Sequence, residues 1–139
     1  MSLKIEMVLG GYFIDDAGIR HQLTPSLNPE RQEVINMVHK IAETKKAVLT
    51  AQFKETPNEG SYKLDVYIDS GTFLPLLNVF DEDGDHYVRT STNEHAANDW
   101  VIMLGEKYPA SATTGDIDFV CDVLNEFICS GDVVSKQFD

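Results

Sequence analysis

Residues 113–131 read TTGDIDFVCDVLNEFICSG, and their reading decides the fold, because start signal, period, polar face and stop signal agree there. Ile117, Val120, Cys121, Leu124, Phe127 and Ile128 recur at the i, i+3, i+4, i+7 spacing of one buried face of an α-helix. Thr113 or Thr114 is placed to cap the first turn, and Asp116 and Asp118 put negative charge on the positive end of the helix dipole. Gly131 supplies a left-handed stop. Asp118, Asp122 and Glu126 fall four apart on the opposite side, with no basic residue between Lys107 and Lys136. That acidic stripe is either a solvated helix back or a surface that meets a partner.

A helix with one apolar face needs a layer to pack on, and the preceding residues provide strands. Tyr62, Leu64, Val66 and Ile68 alternate with Lys63, Asp65, Tyr67 and Asp69, so one face of this strand is predicted to be core and the other wet. Ser70-Gly71 ends it and Phe73 to Phe80 forms the next strand. Asp83-Gly84 signals a hairpin, with Asp85 to Arg89 returning as its partner. Trp100 to Leu104 is expected as the last strand, before a loop from Gly105 to Gly115. Upstream, Ala47 to Phe53 is a β-branched and apolar run followed by the turn Pro57-Asn58-Glu59-Gly60.

The other helix is predicted to start at Asn28-Pro29, a capping residue followed by a proline suited to the first turn. It runs through Val34, Met37, Val38 and Ile41 to about Glu43 or Thr44, with Lys40, Lys45 and Lys46 near its negative end and His39 at the edge of the apolar face. Before it, Leu3, Ile5, Met7 and Leu9 form an opening strand, interrupted by Gly10-Gly11 and resumed at Tyr12-Phe13-Ile14. Asp15 to Gly18 is a turn, and Ile19 to Leu23 a short return strand. The expected class is α+β: an antiparallel sheet of about five to six strands in a single domain, residues 1–139. Two main helices, one after the N-terminal strand region and one C-terminal, cover one face.

At 139 residues and 42% hydrophobic content the chain is sized for one packed core. The N-terminus shows no secretory apolar segment, and no run approaches the roughly 20 apolar residues that cross a bilayer, so the expected location is cytoplasmic. Cys121 and Cys129, eight positions apart on one helix, stand about 12 Å apart at 1.5 Å per residue and cannot pair with each other. The formal charge of −12 is uneven: residues 1–60 carry seven basic and eight acidic groups, residues 61–139 four and fifteen. Such a surface repels nucleic acid and anionic membrane and attracts basic partners.

Asp81, Glu82, Asp83 and Asp85 around Gly84 resemble a calcium loop only superficially, since the glycine falls fourth rather than sixth and the chain returns at once as a strand. His86, Glu94, His95 and Asp99 lack the spacing that specifies a zinc site. No nucleophile elbow, phosphate-binding glycine loop or metalloprotease motif occurs. No catalytic, cofactor-binding or metal-binding residue is therefore predicted.

The segments Gly105-Glu106-Lys107-Tyr108-Pro109, Gly115-Asp116-Ile117-Asp118 and Val123 to Asp132 together resemble the ending of small immunity proteins from bacterial contact-dependent and polymorphic toxin systems. Gly11-Tyr12-Phe13-Ile14-Asp15 followed by Gly18 and a helix is similar to their beginning, whereas Phe138 stands where a Trp is more usual. The resemblance implies a domain that binds one toxin and blocks it without chemistry, through residues that vary between members. The expectation is an immunity protein, monomeric or weakly dimeric, whose acidic surface complements the basic groove of a nuclease toxin. The expected partner-binding residues are Asp118, Asp122 and Glu126 on the helix back, Asp81, Glu82, Asp83 and Asp85 at the hairpin tip, and Asp65, Tyr67 and Asp69 on the wet strand face. The rival expectation is a small enzyme or ligand-binding domain with a pocket between sheet and helices lined by Tyr62, Trp100 and Phe127.

Overall fold

The computed structural model describes residues 6–94, 96, 98–134 and 138. The chain runs β1 (Met7–Ile14), β2 (Arg20–Gln22), β3 (Ser26–Leu27), α1 (Arg31–Ala42), β4 (Lys46–Phe53), β5 (Gly60–Asp69), β6 (Thr72–Phe80) and β7 (His86–Thr90). It continues through β8 (Trp100–Met103), β9 (Glu106–Pro109), a 3-10 turn at Ala110–Ala112 and α2 (Ile117–Ser130). The architecture is α+β: an antiparallel sheet in the order β2-β1-β4-β5-β6-β7, with β3 also on β1, and two main helices. Leu3 and Ile5 of the expected opening strand lie outside the described residues, as do His95 and Lys136.

Both helices lie on one face of the sheet, where alternate strand residues point. Leu9, Leu49, Leu64, Val66, Ile68 and Leu77 from the strands meet Val34, Val38 and Ile41 of α1 and Val120, Leu124 and Phe127 of α2, all within 1% of full burial. Each such side chain contributes about 1.5–3 kcal/mol on leaving water, so this interface holds most of the fold. Along α2 burial extends past the predicted stripe to Val123 and Asn125; the Asn125 amide nitrogen has no hydrogen-bond partner among the described residues. Both cysteines are free thiols, Cys121 buried and Cys129 exposed. Gly131 adopts the left-handed stop at φ 82°.

Four details differ from the sequence reading. The cap of α2 is Asp116, whose carboxylate accepts the amides of Asp118 and Phe119 at 3.1 and 3.2 Å; Thr113 instead closes the 3-10 turn by donating its hydroxyl to the Ala110 carbonyl. Asn28 does not cap α1, which begins after Glu30. It sits in the left-handed region at φ 50° and grips β1, its Oδ1 accepting the Met7 amide at 2.9 Å while its own amide donates to the Met7 carbonyl at 2.7 Å. Gly10-Gly11 does not interrupt β1, which pairs with β4 without a break from Met7↔Phe53 to Ile14↔Lys46. Finally, β8 leaves the main sheet. It pairs with β9, which occupies part of the expected loop, through a tight turn with Leu104 at φ 54° and Gly105 at φ 89°.

That hairpin makes a third layer. Met103 packs with Leu74 and Ala112, flanked by Tyr67, Leu76, Val101 and Tyr108, on the sheet face turned away from the helices. The Leu104 amide donates to Asp69 Oδ2 at 2.9 Å and ties the hairpin tip to the end of β5. The face of β5 read as wet is therefore half-covered: Lys63, Asp65, Tyr67 and Asp69 are all partly buried. Strand order also has an electrostatic consequence. Residues 1–60 build β1 to β4, α1 and the first residue of β5, the residues after them build the rest of β5, β6 to β9 and α2, and β4 pairs directly with β5. The charge asymmetry along the sequence thus becomes an asymmetry between two sides of the molecule.

Candidate functional site

The acidic hairpin between β6 and β7 is organised by one of its own carboxylates. Asp81 Oδ1 accepts the amides of Asp83 and Asp85 at 2.8 and 2.9 Å, and the Asp81 carbonyl accepts the Gly84 amide at 3.0 Å. Gly84, at φ 82°, supplies the left-handed residue that closes the turn. With Asp81 spent on the turn, Glu82, Asp83 and Asp85 project into solvent. None of these four carboxylates forms an ion pair among the described residues. Beside them an open concavity of about 480 Å³ is bordered by Glu59, Val79, Phe80, Glu82, Asp83 and Tyr87, and Tyr87 is 47% exposed. Carboxylates around exposed aromatic surface suit a lysine or arginine side chain, which gains both charge pairing and ring contact.

The α2 stripe is more committed than its spacing implied. Asp122 accepts from Arg31 of α1 at 3.3 Å, and with both side chains 69% exposed this pair contributes little to stability. Glu126 is half-buried and its Oε2 accepts the Val134 amide at 2.9 Å, pinning the chain after the helix. Of the three, only Asp118 has no side-chain partner among the described residues, and it stands beside the N-terminal end of the helix. The far end of α2 lies at the hairpin's end of the sheet, where the Ser61 hydroxyl donates to Asp132 at 2.8 Å and Gly60 pairs with Phe80. Fourteen helical residues span about 20 Å, so Asp118 and the hairpin tip belong to separate regions.

The third predicted group lies on the opposite face of the sheet. Asp65 is anchored there: Oδ1 accepts from the Thr50 hydroxyl at 2.7 Å, while Oδ2 accepts from Asn78 at 3.2 Å and pairs with Lys63 at 3.5 Å. Asp69 holds the β8–β9 tip, as described above. Tyr67 meets Tyr108 edge-on at 6.3 Å between ring centres, and the Tyr108 hydroxyl donates to Glu106 at 3.1 Å. Burial, then the Glu106 hydrogen bond and charge, push the Tyr108 phenol up to about 12; burial, then Asp65, push Tyr67 upward as well. Tyr12, Lys63, Asp65, Tyr67, Glu106 and Tyr108 border a cleft of about 370 Å³ between sheet and hairpin. The three predicted groups are thus not one surface but three: a helix back, one end of the sheet and its far face.

The aromatic pocket expected between sheet and helices is not assembled. Phe127 is fully buried against Phe53, Tyr62 stacks on Phe80 at 4.2 Å, and Trp100 is 63% exposed on the hairpin. Trp100 and Ile102, the latter 64% exposed, form an apolar pair on the outer side of β8 that sequence reading missed. Their two-residue spacing on the expected strand Trp100 to Leu104 was the available signal. Among the described residues no three His, Cys, Asp or Glu side chains gather as metal ligands, and no helix is long and apolar enough to cross a membrane.

No curated protein matches the chain. Among solved structures it is similar to the crystal structure of a hypothetical protein from Neisseria gonorrhoeae, at 28% sequence identity and a TM-score of 0.83 over 95% of this chain and 92% of that one. Residues 6–138 match a family of unknown function, DUF6911, which spans nearly the whole sequence. The chain therefore belongs to the DUF6911 family.

Proposed function

We propose that this protein is an immunity-type inhibitor that binds a basic toxin domain, a nuclease above all, and blocks it by occupancy rather than by chemistry. The observation that carries this reading is the β6–β7 end of the sheet: exposed carboxylates without ion-pair partners among the described residues, beside exposed aromatic surface, on the side of the molecule built from β5 to β9. A nuclease groove is basic because it holds phosphates, and an acidic projection that enters it competes with the nucleic acid. The protein then acts in the cytoplasm as a monomer or weak dimer, with Glu82, Asp83 and Asp85 as electrostatic contacts and Tyr87 as the anchor at their base. Asp81 serves the shape of the turn.

The test is binding to the C-terminal domain of a secreted toxin encoded beside this gene, followed by stopped-flow association. Reversal of Glu82, Asp83 and Asp85 to Lys slows association by about tenfold or more at low salt, while reversal of Glu30, Glu33 and Glu43 on the α1 side leaves binding intact at physiological salt. Loss of binding in the α1 variant alone moves the interface elsewhere and removes the reading.

A further inference from the structure

The cleft on the far face of the sheet has the composition of a receptor for a small organic cation, and this inference is independent of the toxin reading. Its floor is in register across three strands, with Tyr12 opposite Val48 and Val48 opposite Tyr67. In the next row Gly10 faces Thr50 and Thr50 faces Asp65. Open space lies where a side chain on Gly10 would stand, which deepens the floor. The wall is the β8–β9 hairpin, contributing Leu104, Glu106 and Tyr108. A volume of about 370 Å³ falls within the range of small-molecule sites, roughly 300–1,000 Å³.

The charge inventory selects the ligand. Lys63 and Asp65 neutralise each other at 3.5 Å, and Asp65, only 13% exposed, is further satisfied by Thr50 and Asn78. Lys63 also lines the cleft, and its ammonium is held by Asp65, two residues before Tyr67 on the same strand face. On the hairpin Glu106 has the Tyr108 hydroxyl as its one hydrogen-bond partner among the described residues. Both phenols are shifted upward, chiefly by burial, and stay neutral at physiological pH. At the Tyr67–Tyr108 end this leaves one carboxylate, Glu106, beside two tyrosine rings. On the Tyr12 side of the cleft a ring already carries a guanidinium, since Arg20 stacks 3.8 Å from the centre of the Tyr12 ring. The lip is held in a conformation that leucine rarely adopts, Leu104 at φ 54°, fixed by its hydrogen bond to Asp69.

We propose that this cleft binds a guanidinium or primary ammonium on a short alkyl chain, its head group against Tyr67 and Tyr108 and paired with Glu106. Ring faces and a carboxylate both attract a cation more strongly than a neutral molecule of the same shape. The experiment is a ¹H–¹⁵N NMR titration of the full chain with n-butylguanidinium and, separately, with N-butylurea, a neutral near-isostere. Saturable shifts are expected at the amides of residues 65–67 and 104–108, with the guanidinium bound at least about tenfold more tightly than the urea. Glu106→Gln removes that preference, Tyr108→Leu weakens the guanidinium, and Asp118→Asn on the helix side changes neither. Equal binding of both probes, shifts confined to the acidic hairpin at 81–87, no saturation, or an undiminished preference in Glu106→Gln would each overturn the proposal.

Discussion

Gly10 and Gly11 are neighbours in one strand, and the structure predicts opposite outcomes for the same substitution. Gly11 has φ 141°, and a Cβ built on it would lie 2.0 Å from the Val48 carbonyl oxygen and 3.0 Å from the Val48 carbonyl carbon, both backbone atoms of the neighbouring strand. Neither can rotate away, so Gly11→Ala must part β1 from β4 by more than an ångström or force the alanine into another conformation. Strain of roughly 1–3 kcal/mol for the unfavourable φ, with one or two ladder hydrogen bonds at about 1 kcal/mol each, gives a loss of about 2–5 kcal/mol. That is a large share of the roughly 5–15 kcal/mol of a typical domain. At Gly10 nothing lies within 4 Å of the added carbon, so Gly10→Ala is neutral or gains up to about 1 kcal/mol by restricting the unfolded chain. Urea unfolding followed by far-UV circular dichroism is the assay, because Trp100 is mostly exposed and its fluorescence reports poorly on the core. Losses for the two variants that agree within about 1 kcal/mol would refute the close approach of the strands at Gly11.

Leu124→Asp, at a position with no exposed surface, buries an unpaired carboxylate and unfolds the domain. Asp122→Ala removes only a solvent-exposed ion pair and stays within about 0.5 kcal/mol, so comparable melting shifts for the two would mean that the phase of α2 is wrong. Tyr108 supplies a pH prediction. Its phenol is held near 12 in the folded protein against an ordinary value of 10, so the unfolded chain releases this proton first. The corresponding stability is fully present below pH 10 and is lost as pH rises toward 12. Tyr108→Phe should flatten that alkaline decline in a series of melting curves, and an unchanged decline would assign it elsewhere.

The helices were legible because each carries its own period, and the stop at Gly131 coincides with the end of the α2 pattern. Their starts were not. Thr113, Thr114 and Asp116 are all competent caps, and only the path of the chain out of the 3-10 turn selects Asp116. At α1 the Asn28-Pro29 signal was real but served another purpose, since the Asn28 side chain is consumed by Met7. The double glycine read as a break because glycine weakens isolated strands, whereas here it permits two strands to approach. The cleft could not be read at all. It exists because β8 and β9 fold back over β5, and the Leu104-Gly105 turn that makes them do so lacks the Asn-Gly or Asp-Gly signature of such hairpins. Within the acidic set, sequence spacing located the exposed carboxylates of the β6–β7 tip. It could not show that Asp81, Asp65, Asp69 and Glu126 are already engaged by neighbouring groups.

The two-sided charge distribution permits a sharper test of the partner reading than loss of binding. Reversing Glu82, Asp83 and Asp85, or reversing Glu30, Glu33 and Glu43, takes the formal charge from −12 to −6 in either case, so the two variants have equal net charge and differ only in where it lies. At about 10 mM salt the screening length is roughly 30 Å, comparable to the whole domain, and a partner senses total charge. Both variants then associate more slowly than the parent. At about 150 mM the screening length is near 8 Å, less than two strand spacings of about 4.8 Å each, and only carboxylates at the contact still act. The hairpin variant should remain slow there while the α1 variant returns to the parent rate, so the two salt profiles separate as salt is added. If instead they stay superimposed up to physiological salt, net charge alone drives the encounter, and the β6–β7 end has no special place in it.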